Sequence, residues 1–293
     1  MADQGLATPI AHRLMSRLPN TVFIGAPKAG STWFHRVLEA HPDCFTLSSK
    51  GANFFDRYWD RGVAWYQAFF EKATNELVIA DISHDYLYDA AAPERIAEIL
   101  PNAQLTVFVR EPVARLESAV QFAHRSGKRI SELSAVRETV LFEHSMYGQA
   151  LTAWQPFLVQ GTLQVHFYDD LAASPCDFWT AIAQSLGIDS RKAAAVAKTR
   201  HLPASAARSP TLARHLRQGG DRLRQLGAGT LVDTVKRSRY FERLFYRPPH
   251  EHEYFRFSEA ERVALRETLR PDIYAFDELL GGAAAARWPE YWT

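Results

Sequence analysis

The sequence predicts an α/β protein of three layers, in which a central parallel sheet is flanked by helices. Short apolar segments, typical of buried strands, lie at 22–24, 44–47, 77–80, 105–109 and 163–168. Helical patterns alternate with them, at about 32–40, 93–100, 112–125 and 175–186. Such alternation is typical of right-handed crossovers and hence of parallel strands. We therefore expect ligands to bind at the carboxyl ends of the strands.

Residues that favour helix ends support these boundaries. Pro93 fits the first turn of its helix, whereas Gly161 and Gly187 fit positions just after a helix C-terminus. The sequence Ser-Glu-Ala-Glu at 258–261 is similar to a capping box and predicts the start of a helix there. Further helical stretches are expected at 54–70, which is rich in aromatic residues, and at 131–160.

The composition is that of a globular protein, and we expect one domain over residues 1–293. Lysine and arginine number 34 against 33 acidic residues, a net charge of +1, so no global basic field for nucleic acid is present. The two cysteines have no metal-binding or redox spacing, and we expect no metal. No apolar run approaches the roughly 18–20 residues that span a bilayer, and the N-terminus lacks a signal-peptide pattern. A cytoplasmic location is the expectation.

The segment from about 190 to 250 departs from the strand–helix pattern. It is dense in basic residues and is interrupted by Pro203, Pro210 and the pair Gly219-Gly220. We interpret it as a partly helical excursion within the domain that covers the site as a lid. For most of its arginines, a solvated helix face is an equally good interpretation.

The loop after the first strand predicts a phosphate site. Residues 27–33 read Pro-Lys-Ala-Gly-Ser-Thr-Trp and lead into a helix, whose N-terminal amides and dipole attract anions. Lys28 adds a positive charge, Gly30 permits close approach of the backbone, and Ser31 and Thr32 add hydroxyl donors. This is not a Walker A loop, because that motif places its lysine directly after the second glycine.

Two further motifs accompany this loop. Residues 107–122 place Arg110 at the end of a strand and Ser118 eight residues later, inside the next helix. Residues 49–56 read Ser-Lys-Gly-Ala-Asn-Phe-Phe-Asp. With these in order, the chain resembles the sulfotransferases that use 3′-phosphoadenosine 5′-phosphosulfate (PAPS), especially the branch with the heparan sulfate and bacterial enzymes. The resemblance covers about 21–190 well and implies a P-loop-like sulfotransferase fold.

The resemblance implies a role for each matching residue. Lys28, Ser31, Thr32 and the loop backbone, including Ala29 and Gly30, would hold the 5′-phosphosulfate, while Arg110 and Ser118 would hold the 3′-phosphate. Trp33 would pack near the adenine, although a core role is an equally good interpretation. Lys28 would stabilise the leaving group and Lys50 the transferring sulfuryl group or the acceptor. A late basic segment of the family would correspond to Lys198 or Arg200.

The general base has more than one candidate in the sequence. The heparan sulfate branch has a glutamate after the lysine of the 49–56 motif, whereas this chain has Gly51. The cytosolic branch has a histidine at the end of the strand that precedes its arginine motif. In this chain His84 occupies the matching position, before the motif at 107–122. Histidine titrates near neutral pH and suits a base, so we predict His84. The alternatives are Asp56, Asp81 and Asp85, with a structural role in orienting a neighbour also open for Asp81.

The sequence thus predicts an enzyme that transfers a sulfuryl group in line from PAPS to a hydroxyl, leaving adenosine 3′,5′-bisphosphate. The expected acceptor is a small molecule, lipid or carbohydrate. A P-loop-type small-molecule kinase and a non-catalytic nucleotide-binding protein of the same fold are the alternatives. The sequence predicts no oligomeric state.

Overall fold

Five parallel strands form the middle layer of this computed structural model, which describes residues 18–125, 133–199, 206–207, 246–247 and 255–293. In chain order they are β1 (Thr21–Gly25), β2 (Cys44–Thr46), β3 (Val78–Ile82), β4 (Gln104–Val109) and β5 (Leu163–Phe167). Their order in the sheet is β2-β3-β1-β4-β5. Every pairing is parallel, which confirms the predicted fold class.

Helices connect the strands and cover both faces of the sheet. Those that follow the first three strands are α1 (Ser31–Ala40), α2 (Phe54–Arg57), α3 (Val63–Ala68) and α4 (Ala92–Ile99). Between β4 and β5 lie α5 (Pro112–Arg125), α6 (Leu133–Arg137), α7 (Val140–Glu143), α8 (Tyr147–Thr152) and α9 (Gln155–Val159). After β5 come α10 (Tyr168–Ala173), α11 (Pro175–Ser185), α12 (Ala194–Ala197) and α13 (Glu259–Leu279).

The core is built around the central strand. All five residues of β1 are buried because β3 and β4 flank it and helices cover both of its faces. The rings of Phe23, Phe34 and Phe108 pack together, with centroids 5.1–5.6 Å apart. This packing fixes α1 against the ends of β1 and β4, where the predicted anion-binding residues lie.

Several predicted elements are confirmed, and others are subdivided. The capping box is present, since Ser258 and Glu261 bond each other's backbone at the start of α13. The predicted helical region 131–160 is divided into short helices, and 54–70 holds α2, a 3₁₀ turn at Trp59–Arg61 and α3. Within 54–70, the 3₁₀ turn and α3 are separated at Gly62, whose φ of 77° is not helical.

Most of the basic segment lies outside the described residues. Within it, β6 (Ala206–Ala207) and β7 (Tyr246–Arg247) form an antiparallel pair. The predicted lid therefore stays a prediction, and Arg200 also lies outside the described residues. In the part of the chain that the structure describes, no helix has both the length and the apolar character to cross a membrane.

Candidate functional site

The loop between β1 and α1 forms a cradle at the carboxyl edge of the sheet. The Ala26 N–H donates to the carbonyl of Phe108 at 2.8 Å, which ties the loop to the neighbouring strand β4. Gly30 has φ of 113°, and a Cβ there would lie 3.0 Å from Leu171. No described side chain caps the first turn of α1. The first amides of a helix lack intrahelical partners, so those of α1 suit an anion.

Lys28 belongs to this loop and adopts a left-handed conformation, with φ of 74°. Its Nζ lies 4.3 Å from the centre of the Phe122 ring on α5. Ser118 is four residues before Phe122 on the same helix and therefore on the same face. Lys28 and Ser118 thus belong to one surface, as the motifs predict.

Ala29 and Ser31 have buried side chains, so their contribution to the loop is the course of its backbone. The Ala29 side chain is fully buried, and its N–H donates to the carbonyl of Ala26 at 3.3 Å. Ser31 is also buried, at the first position of α1. Ala29 therefore shapes the turn, while Ser31 and Thr32 begin the helix whose amides face the cradle.

Arg110 follows β4 directly and so lies beside the loop. Its guanidinium donates a long hydrogen bond, 3.5 Å, to the carbonyl of Lys28 and lies over the ring of Tyr168. Tyr147 holds the backbone of Arg110 on both sides, because its hydroxyl donates to the Arg110 carbonyl at 2.9 Å and accepts from the Arg110 N–H at 3.3 Å. Two cationic positions, at Lys28 and Arg110, are therefore adjacent at the ends of neighbouring strands.

Trp33 lies in the core, the alternative that the sequence left open. Its side chain is 5% exposed, its ring packs against Phe178, and its N–H donates to the carbonyl of Ala197 at 3.0 Å. This bond joins residues 164 positions apart and brings the exposed Lys198, the next residue, close to the first turns of α1. The role predicted for Lys198 stays a prediction.

Lys50 reaches the same cradle from the loop that follows β2. Its backbone is left-handed, with φ of 78°, and its Nζ donates a hydrogen bond to Thr32 Oγ1. Gly51 packs directly on the end of β3, where a Cβ would lie 2.2 Å from Ser83 Oγ and 2.6 Å from the Ile82 carbonyl. This position has no room for a glutamate, so the base must come from elsewhere.

Asp81 is fully buried at the end of β3 and accepts four hydrogen bonds. Oδ1 receives the Ala52 N–H at 3.1 Å and the Ser83 hydroxyl at 2.7 Å, whereas Oδ2 receives the hydroxyls of Tyr66 and Tyr86 at 3.0 and 2.9 Å. Burial raises the pKa of Asp81, while these donors oppose that rise. Both oxygens are occupied, which favours the structural interpretation of Asp81 over a base.

His84, Asp56 and Asp85 are the remaining candidates for the base. Burial lowers the pKa of His84, and the nearby charge of Asp85 opposes this shift. The charges of Lys50, Arg57 and Lys28 act in the same direction as burial. Its Nε2 lies 3.8 Å from Asp85 Oδ1, and Asp85 is itself paired with Arg57. Burial raises the pKa of Asp56 to about 6, and its Oδ1 is buried with no partner among the described residues.

Sequence reasoning missed four side chains that shape the site. Phe122 carries Lys28, Tyr147 clamps Arg110, and Tyr66 and Tyr86 anchor Asp81. Only Phe122 had a local signal, because it lies one helical turn after Ser118. The others depend on contacts between segments that the sequence does not reveal.

Comparison with known proteins adds to this geometry. No family model matches the sequence. The chain is 30% identical over 154 residues to mouse heparan sulfate glucosamine 3-O-sulfotransferase 6, which covers 47% of this chain and 43% of that protein. It is 30% identical over 158 residues to the membrane-associated sulfotransferase kil1 of Dictyostelium discoideum, covering 48% and 33% of the two chains. The chain is related to the sulfotransferases.

A solved structure has the same fold as this chain. A sulfotransferase from Alicyclobacillus acidocaldarius superimposes with a TM-score of 0.62 over 90% of this chain and 96% of that one, at 16% identity. This likeness shows the fold alone. The matched region spans less than half the length of each of the two curated relatives. The activity of this chain is therefore a matter for a proposal.

Proposed function

We propose that the chain is a sulfotransferase that moves a sulfuryl group from PAPS to a hydroxyl of an acceptor. The observation that carries the proposal is the pair of anion-binding positions at the ends of β1 and β4, around Lys28 and around Arg110. A nucleotide with a phosphosulfate at one end and a 3′-phosphate at the other requires two such positions. A nucleoside triphosphate has its charge at one end.

The residues fit this donor. The first turn of α1, which Gly30 does not cap, and the hydroxyl of Thr32 suit the 5′-phosphosulfate. Arg110 and Ser118 suit the 3′-phosphate, because a guanidinium binds two phosphate oxygens at once. Lys198 and Arg200 are proposed to add charge to that end.

The bound donor supplies the sulfuryl group and a phosphate leaving group. Lys28 and Lys50 neutralise the charge that develops on the bridging oxygen and the sulfuryl oxygens. As the sulfur–oxygen bond to phosphate breaks, a bond forms from sulfur to the acceptor oxygen, and the acceptor proton passes to a ring nitrogen of His84. The lowered pKa of His84 keeps the ring neutral at pH 7 and able to accept that proton.

Asp56 is the second candidate for this base. Its unpartnered Oδ1 and its pKa of about 6 are properties of a carboxylate that could accept a proton. We assign the role to His84 because it follows β3 at the carboxyl edge, close to the charges of Lys28 and Lys50.

The acceptor is proposed to be a hydroxylated small molecule, lipid or carbohydrate. The name of the mouse relative, a heparan sulfate glucosamine 3-O-sulfotransferase, supports the carbohydrate part of this class. The cytoplasmic location likewise stays a prediction.

A thermal-shift panel tests the proposal with adenosine 3′,5′-bisphosphate, ATP–Mg²⁺ and GTP–Mg²⁺. A ligand that binds the native state raises the melting temperature, and we expect the bisphosphate to give the largest shift. Stabilisation by ATP–Mg²⁺ but not by the bisphosphate would favour the kinase alternative. Bisphosphate binding without transfer from labelled PAPS to any hydroxylated acceptor would favour the non-catalytic one.

A further inference from the structure

The loop that carries Lys50 is held along the end of β3 by a row of hydrogen bonds. The Ile82 N–H donates to the Lys50 carbonyl at 3.3 Å, and the Asn53 N–H donates to Ser83 Oγ at 3.0 Å. Between them, the Ala52 N–H donates to Asp81 at 3.1 Å. The loop therefore follows the strand as if it extended the sheet.

Asp81 is the centre of this arrangement. In one relay, the Ser83 hydroxyl accepts from the Asn53 N–H and donates to Asp81. In the other, the Tyr86 hydroxyl accepts from the Phe54 N–H at 2.8 Å and also donates to Asp81. Asp81 thus reaches the backbone of 52–54 directly and through two relays. A carboxylate is an acceptor at both oxygens, so it satisfies four donors without offering one.

The hydrogen bonds along the end of β3 also explain the left-handed backbone conformation of Lys50. A lysine with positive φ is uncommon, and such conformations persist only when the surroundings fix them. Bonds on both sides of Gly51 fix it here and direct Lys50 Nζ to Thr32. The absence of a Cβ at Gly51 allows this close contact with β3.

We propose that Asp81 is a positioning residue, which acts by holding Lys50 against the phosphosulfate end of the donor site. This inference rests on the proposed function. It assigns Asp81 no contact with the donor, the acceptor or the reacting atoms.

The test uses nucleotide affinity, which needs no knowledge of the acceptor. Calorimetry gives the dissociation constants of PAPS and of adenosine 3′,5′-bisphosphate for the wild type, Asp81→Asn, Lys50→Ala and the double variant. We expect Lys50→Ala to weaken PAPS relative to the bisphosphate by about 10–100-fold, the effect of one charged hydrogen bond. Asp81→Asn should do the same, and the double variant should add less than about 2-fold.

Asp277→Asn is the matched control, because Asp277 also accepts two backbone N–H groups, from Ala284 and Ala285, away from the cradle. Its affinity ratio should equal that of the wild type. If Asp81→Asn does not fold, Tyr66→Phe and Ser83→Ala each remove one donor and should shift the same ratio.

Three results would overturn the inference: an unchanged ratio in Asp81→Asn, an unchanged ratio in both replacement variants, or full additivity with Lys50→Ala. A wild type that binds neither nucleotide would instead overturn the proposed function. The two failures are therefore distinguishable.

Discussion

The guanidinium carbon of Arg110 lies 4.8 Å from the centre of the Tyr168 ring. A stacked guanidinium uses its face against the ring and keeps its N–H edge for an anion. Tyr168 follows β5 and Arg110 follows β4, so adjacent strands of the sheet set this contact. The aromatic ring and the clamp from Tyr147 together give Arg110 a fixed orientation.

Arg110→Ala should weaken binding of adenosine 3′,5′-bisphosphate by about 10–100-fold, because a charge-assisted contact to the 3′-phosphate is lost. Binding of adenosine 5′-phosphate, which lacks that phosphate, should change little. Titration calorimetry with both nucleotides measures this difference. Arg191→Ala is the control, since Arg191 is exposed and pairs with Asp189 away from the cradle. Equal losses for both nucleotides would contradict the assignment of Arg110 to the 3′-phosphate.

His84→Ala should abolish most sulfuryl transfer while bisphosphate binding is retained, because the base is lost and the donor site is not. In the wild type, activity should fall as the pH drops through the pKa of His84, which burial places below 6.5. Above that pH the ring is neutral and the rate should be level. Asp56→Asn is the comparison variant. Should Asp56→Asn remove the acid limb while His84→Ala keeps it, Asp56 is the base.

Gly51→Ala should destabilise the fold by about 1–3 kcal/mol, since its Cβ would overlap Ser83 and the backbone of Ile82. Chemical denaturation measures the loss. Adding Ser83→Ala should not restore stability, because the Ile82 carbonyl remains 2.6 Å from the Cβ position. Gly161→Ala, at a glycine with open space around it, should cost only about 1 kcal/mol for its positive φ. A Gly51→Ala protein as stable as the wild type would contradict the close packing of this loop.

His166→Leu should reduce the loss of stability between pH 7 and pH 5. Burial lowers the pKa of His166 to about 4, and its Nε2 has no partner among the described residues. Below pH 6.5 the unfolded chain binds a proton that the folded chain does not, so wild-type stability falls as the pH drops toward 4. Without the histidine, this part of the loss, about 1–2 kcal/mol at pH 5, disappears. Chemical denaturation of both proteins at pH 7 and pH 5 measures this loss. An equal loss of unfolding free energy in the wild type and in His166→Leu would refute the prediction.

Much of the fold was predictable because it depends on local patterns. Apolar runs that end at Gly25 and Val109 predicted two strands, and Pro93, Gly161 and Ser258 marked helix boundaries. The strand–helix alternation then left a parallel sheet as the consistent topology. The helical regions 54–70 and 131–160 were less well predicted, because each is divided into several short helices.

The site was predictable only in part. Motif spacing identified the loop at Lys28, the pair Arg110 and Ser118, and Lys50, since these residues follow strand ends in a recognisable order. The glycine at position 51 left the base open. Position 51 has no room for a glutamate because it contacts Ser83 and Ile82. These residues are about 30 positions away, so the sequence does not reveal the contact.

The sequence by itself determined the fold class, the similarity to the sulfotransferases and the residues that are proposed to hold the donor. Tertiary structure alone decided that Trp33 lies in the core, that Asp81 is saturated by four donors, and that Lys50 meets Thr32. The physical reason is that strand ends and helix starts follow from neighbouring residues. Burial and hydrogen-bond partnership depend on which distant segments meet.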